Sequence, residues 1–243
     1  MNTLAMYPFL RIYWGLILFI LVSCEKFDDL SNPVLNRYEV PAEVLEEVFT
    51  ADIPQNLRNV DNFFDRIKEQ GMVIHEGNQP PYMVGPTGAG VLKFTIANNC
   101  IYDDKNPNNE GFSYGKYEEL IQVYSDQNQD NFLADIAYTS IFNPDYPEFQ
   151  RGLDSGSATG YVSGNQNRDF TIFLKITNGK YDAVNYSAIW IISGTYVLMD
   201  RKSELTNVTK CMVMLEKSED PEDKVADRGT VRIFRDDAPQ WSP

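Results

Sequence analysis

Two stretches in the second half of the chain decide its fold class: residues 170–177, FTIFLKIT, and residues 187–196, SAIWIISGTY. In the first stretch every second residue is large and apolar: Phe170, Ile172, Leu174 and Ile176. In the second stretch the alternate positions are also mostly apolar: Ala188, Trp190, Ile192 and Tyr196. Successive side chains of a β-strand point to opposite faces, so both stretches predict strands with a buried face.

The sequence of the strand around Trp190 also predicts which of its two sides faces the interior. Its Trp190 side should face the interior, together with Gly194, where a missing side chain lets a neighbour or a ligand approach closely. Ile189 and Ile191 fall on the opposite side, and two large apolar residues there require a cover of their own.

Further strand-like segments surround these two stretches at short intervals: residues 91–97, 117–124, 132–141, 159–163, 208–217 and 230–234. Polar runs rich in turn-forming residues separate the segments: residues 126–131, 164–167, 178–179 and 200–203. No helix-length segment lies between the strands. About eight strands joined in this way predict an all-β fold, an antiparallel up-and-down barrel or sandwich.

Residues 41–77 precede the strands and have helical periodicity instead. Within residues 56–70 the apolar side chains form a single stripe: Leu57, Val60, Phe63, Phe64 and Ile67. Gly71 follows the stripe as a natural C-cap. We expect this helical segment to pack on the β-body, residues 78–243, where Phe63, Phe64 and Ile67 would cover the outer side of the Trp190 strand.

The N-terminus has the layout of an export signal. Arg11 supplies a positive charge, and residues 12–22 form an apolar run. This run is shorter than the roughly 20 residues that a membrane-spanning helix needs, although an uncleaved membrane anchor is the alternative.

Residues 21–24 read LVSC, which resembles the lipobox of bacterial lipoproteins. The resemblance implies that residues 1–23 are a signal peptide and that Cys24 becomes the lipid-modified N-terminus of the mature protein. The lipid would then hold the protein on a membrane, and the polar residues 24–40 would act as a tether.

Several runs of the chain are similar to surface lipoproteins of Bacteroidetes, some of which are thought to be lipocalin-like barrels. The similar runs are residues 25–29 after the lipobox, 71–85, 160–164, 193–195, 214–217 and 229–234. Shortly after Cys24 come Lys26, Asp28 and Asp29. A Lys followed by acidic residues at this place resembles the surface-export signal of these lipoproteins. The resemblance implies an outer-membrane protein that faces the cell exterior.

The overall charge limits the partners that the chain can bind. Its formal net charge is −14, with 35 acidic residues against 21 Lys and Arg. A negative chain repels the phosphate backbone of nucleic acids, so we expect no nucleic-acid partner.

Catalytic and metal-binding motifs are weak in this sequence. His75 is the only histidine and lies in a loop, so we expect no catalytic residue, no histidine-based metal site and no enzyme activity. Asp126, Asn128 and Asp130 resemble the start of a calcium loop, but the glycine and the bidentate glutamate of such a loop are missing, which favours a polar turn. Phosphate-binding and dinucleotide-binding motifs are also missing, so no cofactor is expected.

The two cysteines of the predicted body, Cys100 and Cys211, leave two alternatives open. An oxidising compartment permits a disulfide between them. The apolar alternation around Cys211 favours a buried free thiol.

Aromatic residues of the strands give the strongest indication of function. A barrel of about eight strands holds one small ligand, and aromatic rings suit an apolar or sugar-like molecule. The candidates for lining such a cavity are Tyr114, Tyr117, Tyr138, Tyr161, Trp190 and Tyr196, of which we select Tyr117, Tyr138, Trp190 and Tyr196 as ligand-binding residues. The alternative is a structural or interaction protein of the cell surface with a filled core.

Overall fold

The computed structural model describes residues 48–49, 60–77, 79–81, 91–96, 99–111, 119–125, 133–140, 152–165, 168–199, 202–236 and 240–242. Several predicted features lie outside these ranges: the signal peptide and tether in residues 1–40 with Cys24, Lys26, Asp28 and Asp29, the ligand candidates Tyr114 and Tyr117, and the polar run at residues 126–131.

The described chain consists of one helix, a short 3-10 turn at Pro107–Asn109 and a ten-stranded antiparallel sheet. The elements are α1 (Val60–Glu69), β1 (Val91–Ile96), β2 (Asn99–Asp103), β3 (Glu119–Ser125), β4 (Leu133–Ser140), β5 (Asp154–Asn165), β6 (Asp169–Tyr181), β7 (Val184–Met199), β8 (Lys202–Lys217), β9 (Val231–Arg235) and β10 (Gln240–Ser242). The predicted all-β antiparallel fold with an N-terminal helical segment is therefore confirmed.

The sheet is a meander whose two ends return toward each other. Its order is β1-β3-β4-β5-β6-β7-β8-β9-β2, and β10 pairs with the first half of β8. Among the described strands, the hydrogen-bonded path does not close into a ring. However, its terminal strands β1 and β2 are separated only by residues 97 and 98, and β1 contacts β10. The path therefore curls back on itself.

The long strands β6, β7 and β8 form the middle of the sheet and separate two apolar clusters. We call the first cluster the inner core; its largest members include Ile136, Tyr138, Phe170, Ile172, Leu174, Trp190, Ile192 and Tyr196. We call the second the helix-side core; it includes Phe63, Phe64, Ile67, Tyr161, Phe173, Ile189, Ile191, Cys211 and Val213. The predicted arrangement is confirmed, because Trp190 faces one cluster while Ile189 and Ile191 lie with the helix in the other.

Helix α1 covers the helix-side core with the predicted stripe. Phe64 packs edge to face on Phe173 of β6, with ring centroids 5.8 Å apart, and Ile67 is fully buried. The helix ends at a left-handed Gly71 (φ +96°), and the N–H of Met72 donates to the carbonyl of Ile67. In the described part of the chain, no helix has the length and apolar character needed to cross a membrane.

The turn expected at residues 178–179 is wrong. Both residues belong to β6, where a bulge lies between Ile176 and Gly179, and the chain reverses at Asp182 instead. Gly179 serves a close approach, because a Cβ there would clash with the ring of Tyr186 on the neighbouring strand. The glycine is therefore needed for packing against an aromatic ring and not for turning.

Candidate functional site

Three of the four predicted ligand-binding residues lie together in the inner core. Tyr138, Trp190 and Tyr196 all have exposures of 5% or less, and the ring centroids of Tyr138 and Trp190 are 4.2 Å apart. Tyr161 lies on the opposite face, in the helix-side core, so it does not belong to this group. Of the described aromatic candidates, Tyr138, Trp190 and Tyr196 therefore share one cluster, and Tyr161 belongs to the other.

Strand β7 presents Trp190 to the interior through its register with β6. Trp190 stands opposite Leu174, and Gly194 stands opposite Phe170. A Cβ on Gly194 would lie 3.3 Å from both the carbonyl oxygen of Thr206 and Cγ2 of Val208, so strand β8 approaches this position closely.

A buried cation lies beside Trp190, and sequence analysis did not select it. Lys210 on β8 has an exposure of 2%, and its Nζ lies 3.6 Å from the centroid of the Trp190 ring and 5.8 Å from that of Phe234. An ammonium over an indole face is attracted by about 2 kcal/mol when water is excluded. The sequence held one signal for the burial of Lys210. Lys210 alternates along β8 with Val208 and Met214, and both of these residues belong to the inner core.

The indole N–H of Trp190 is an uncommon feature of this interior. Nε1 is buried, and none of the described residues offers it a hydrogen-bond acceptor. Tyr and Trp side chains in protein interiors normally find a partner for their polar atom. A buried donor without an acceptor costs about 1–3 kcal/mol, so this position requires an explanation.

A chain of hydrogen bonds ends at Tyr138, whose ring packs against that of Trp190. Tyr186 donates to the Oδ1 of Asp154 at 2.7 Å, and the hydroxyl oxygens of Tyr138 and Tyr186 are 2.6 Å apart. The backbone N–H of Asp154 donates to the Oγ of Ser140 at 3.0 Å. We call Asp154, Tyr186, Tyr138, Trp190 and Lys210 the polar row; it runs through an otherwise apolar cluster. Tyr138 is thereby held in place against the Trp190 ring.

His75 lies on the other face of the sheet, in an extended segment that crosses the strands. Its N–H donates to the Oγ1 of Thr171 at 2.7 Å, and the Oγ of Ser163 donates to its carbonyl at 2.7 Å. Val73 N–H bonds to the Oγ1 of Thr209, and Thr171 bonds in turn to Ser193. A segment that crosses strands cannot form backbone hydrogen bonds with them as a neighbouring strand would. The side-chain hydroxyls of Thr209, Thr171 and Ser163 therefore bond to its backbone N–H and C=O groups instead.

The imidazole of His75 has one acidic neighbour. Its Nδ1 lies 4.0 Å from the Oδ2 of Asp169, whose Oδ1 accepts a hydrogen bond from Thr195. Burial lowers the pKa of His75, and the Asp169 charge opposes that shift in part. Thr171 and Ser163 bond to the backbone of His75, as a structural role requires. The expectation that His75 has no catalytic role stays a prediction.

Both described cysteines are free and buried. This agrees with the preference for free thiols that the alternation around Cys211 indicated. Burial raises the pKa of the Cys100 thiol and, more strongly, that of Cys211. Raised pKa values keep both groups in the less reactive thiol form. No cluster of His, Cys, Asp or Glu that could hold a metal ion occurs within the described ranges.

A depression of about 330 Å³ lies over strands β4 and β5, and none of the predicted aromatic residues lines it. Its lining residues are Asp135, Ile136, Ala137, Ser157, Ala158 and Thr159. Asp135 and Thr159 are exposed and hydrogen-bonded to each other at 2.6 Å, while Ile136, Ala137 and Ala158 supply an apolar part of the lining. No protein-family model matches the chain, and no curated protein and no solved structure does either.

Proposed function

We propose that the chain is a non-enzymatic lipoprotein of the bacterial outer membrane that binds a small molecule inside its β-sheet body. The address rests on the lipobox-like LVSC at residues 21–24 and on the charge pattern of Lys26, Asp28 and Asp29. The lipid on Cys24 would anchor the body to the membrane on its outer side. The ligand would be a compact molecule with an apolar or sugar-like surface, and no cofactor takes part.

One observation carries the ligand proposal: the buried, unpartnered N–H of Trp190 beside the ammonium of Lys210. An interior that serves only as a core has no need for either group, because apolar residues of similar volume are often neutral or stabilising in such positions. A ligand acceptor would form the hydrogen bond that the described residues leave unmade. Tyr138 adds a flat aromatic surface at the same place.

A second candidate function has an observation of its own. The described side chains of the inner core are almost completely buried, and Phe170, Ile172, Leu174 and Ile192 have an exposure of 0%. Dense packing of this kind suits a filled body whose function lies in contacts with other surface molecules. The protein would then be a structural or interaction lipoprotein.

Ligand extraction tests the two candidates directly. The full chain is isolated from the membranes of its expression host, and small molecules are extracted from it and identified by mass spectrometry. We expect a compound in stoichiometric amount with the unaltered chain and a reduced amount with Trp190→Phe, which keeps a ring but loses the N–H. A matched control, Phe173→Leu in the helix-side core, should retain the compound.

The free energy of unfolding of Trp190→Ala separates the candidates further. In a solid core this substitution costs about 3–5 kcal/mol. In a ligand site the cost is smaller, and the co-purifying compound is lost instead. A full core penalty combined with extracts that contain no compound would favour the interaction protein.

A further inference from the structure

We infer that the depression over β4 and β5 binds one ring of a neutral sugar, through hydrogen bonds to the carboxylate of Asp135 and the hydroxyl of Ser157. Both of these side chains are exposed, so the site lies on the outside of the sheet and not in the inner core. The inference therefore goes beyond the small molecule proposed for the interior and does not depend on it.

The shape of the depression follows from the alternation of side chains along the two strands. Its rim consists of two cross-strand pairs on one face of the sheet, Asp135 with Thr159 and Ala137 with Ser157. Residues two apart along a strand are roughly 6.6 Å apart, which sets the distance between the two pairs. Ile136 and Ala158 form the pair between them and pack toward the inner core, so the depression ends on the sheet itself.

The strand that carries Ser157 is irregular at this place. Strand β5 keeps a continuous ladder with β4, but its ladder with β6 is interrupted between Ser155 and Gly160. The side chain of Asn178 on β6 bridges this gap, because its Oδ1 accepts the backbone N–H of Ser157 at 2.9 Å. Irregularities of this kind are frequent beside binding sites, where they direct a side chain.

The same amide determines the direction of the Ser157 hydroxyl. Since Oδ1 of Asn178 faces the Ser157 N–H, its Nδ2 faces the Oγ of Ser157, to which it donates at 2.9 Å. The hydroxyl oxygen of Ser157 is thus an acceptor in this bond, and its own proton remains to be donated. None of the described residues accepts that proton.

Asp135 supplies an acceptor at the other end of the depression. A carboxylate only accepts, so the hydroxyl of Thr159 is the donor in the 2.6 Å bond to Oδ1 of Asp135. This bond orients the carboxylate, and none of the described residues donates to its Oδ2. The depression therefore presents one oriented donor and one oriented acceptor to the same ligand.

These two groups select the chemical class of the ligand. A sugar hydroxyl both donates and accepts, so neighbouring hydroxyls of one ring can satisfy Asp135 and Ser157 together. A carboxylate or phosphate only accepts, and Asp135 would repel it, since none of the described lining residues is a Lys or Arg. An ammonium only donates, so it would leave the Ser157 proton without an acceptor.

The size of the depression fits a single ring. Its volume of about 330 Å³ lies at the low end of the range that ligand pockets occupy. The methyl group of Ala137 leaves this volume free and offers a small apolar contact to the C–H groups of a sugar. Because the depression is open to solvent, the ring could be one unit of a longer glycan.

Saturation-transfer NMR tests the site with the full chain in lipid nanodiscs, and empty nanodiscs serve as the blank. The probes are the methyl glycosides of glucose, galactose and mannose, each compared with the methyl glycoside of its own uronic acid. We expect a saturable signal from at least one neutral glycoside. Its affinity should be at least about threefold above that of the matching uronic acid, which adds a negative charge near Asp135.

Four variants assign the signal to the depression. Ala137→Leu fills it and should abolish binding, while Asp135→Asn keeps its shape and should weaken binding about five- to tenfold, because a hydrogen bond to a charged acceptor is lost. Thr177→Leu places the same bulk at an exposed position of β6 outside the lining and should change nothing. Trp190→Phe in the inner core should also leave sugar binding unchanged. Circular dichroism checks that each variant is folded.

Each outcome decides the inference. Absence of a signal from all three neutral glycosides would overturn the sugar site, and equal or tighter binding of the uronic acids would overturn the neutral class. A signal that survives in Ala137→Leu would also overturn the site. If that signal is lost in Trp190→Phe, the sugar lies in the inner core and the proposed function stands. Should Ala137→Leu not fold, unchanged binding in Asp135→Asn would overturn the site.

Discussion

The hydroxyl oxygens of Tyr138 on β4 and Tyr186 on β7 lie 2.6 Å apart inside the sheet, although 48 residues separate them in the chain. Because Tyr186 gives its only O–H to Asp154, Tyr138 must be the donor between the two tyrosines. The direction of both hydrogen bonds is therefore fixed. Asp154 orders Tyr186, Tyr186 orders Tyr138, and Tyr138 packs against Trp190.

Removing the middle hydroxyl should destabilise the protein. In Tyr186→Phe, Asp154 loses a buried donor and Tyr138 loses its acceptor, so we expect the free energy of unfolding to fall by about 1.5–3 kcal/mol, as measured by urea denaturation. Tyr102→Phe removes a hydroxyl from a half-buried ring and should change the value by less than about 0.5 kcal/mol. Equal effects of the two substitutions would contradict the importance of the hydrogen-bond chain.

The hydroxyl row beneath His75 leads to a second prediction. Thr171→Val keeps the shape of the side chain but removes the acceptor of the His75 N–H and the partner of Ser193. We expect a loss of about 1–3 kcal/mol in the free energy of unfolding and faster hydrogen exchange at the His75 amide. The same substitution at Thr177, an exposed position of β6, is the control. Unchanged exchange at His75 in Thr171→Val would refute this account.

Alternation along β6 and β7 was sufficient to predict which side chains face which core. Strands of period two leave little freedom when both faces are apolar, because a slip of one residue would exchange all side chains between the faces. The stripe of α1 was likewise sufficient to predict what covers Ile189 and Ile191. These features depend on local patterns that a single segment carries.

Features that depend on distant partners could not be predicted in this way. The contact of Gly179 with Tyr186 and the hydrogen bond between Tyr138 and Tyr186 require the register of several strands and their bulges. The short strands β2 and β10 exist because β9 and β8 offer them ladder partners, not because of their own patterns. Lys210 was missed because a lysine is rarely buried, and its cover comes from Trp190 on the neighbouring strand.

The predicted lipid anchor has its own test. Cys24→Ala should abolish labelling of the protein with a radioactive or clickable fatty acid, because only the thiol of Cys24 would carry the lipid, and the precursor should remain uncleaved or be released.

Changing Lys26, Asp28 and Asp29 together to Ala should lower cleavage by protease added to intact cells while total protein stays constant. Labelling that persists in Cys24→Ala would refute the lipoprotein assignment, and unchanged cleavage would refute the export signal.

The pH dependence of stability should report the burial of His75. Its pKa is lowered in the folded protein, mainly by burial, so the unfolded chain binds a proton more readily than the folded one. Stability is then complete above the ordinary histidine pKa of about 6.5 and is lost as the pH falls through the lower folded pKa. Since His75 is the only histidine, His75→Asn removes this term and leaves the other titrating groups in place.

Chemical denaturation between pH 7.5 and 5.5 measures the effect. We expect the unaltered protein to lose more stability than His75→Asn as the pH falls, so the two curves should diverge toward low pH. Asp169 acts against this loss, because its charge 4.0 Å from Nδ1 favours the protonated imidazole. Asp169→Asn should therefore steepen the loss in the presence of His75 and have no such effect in its absence. Parallel curves for the unaltered protein and His75→Asn would show that the imidazole is hydrated equally in the folded and unfolded chains.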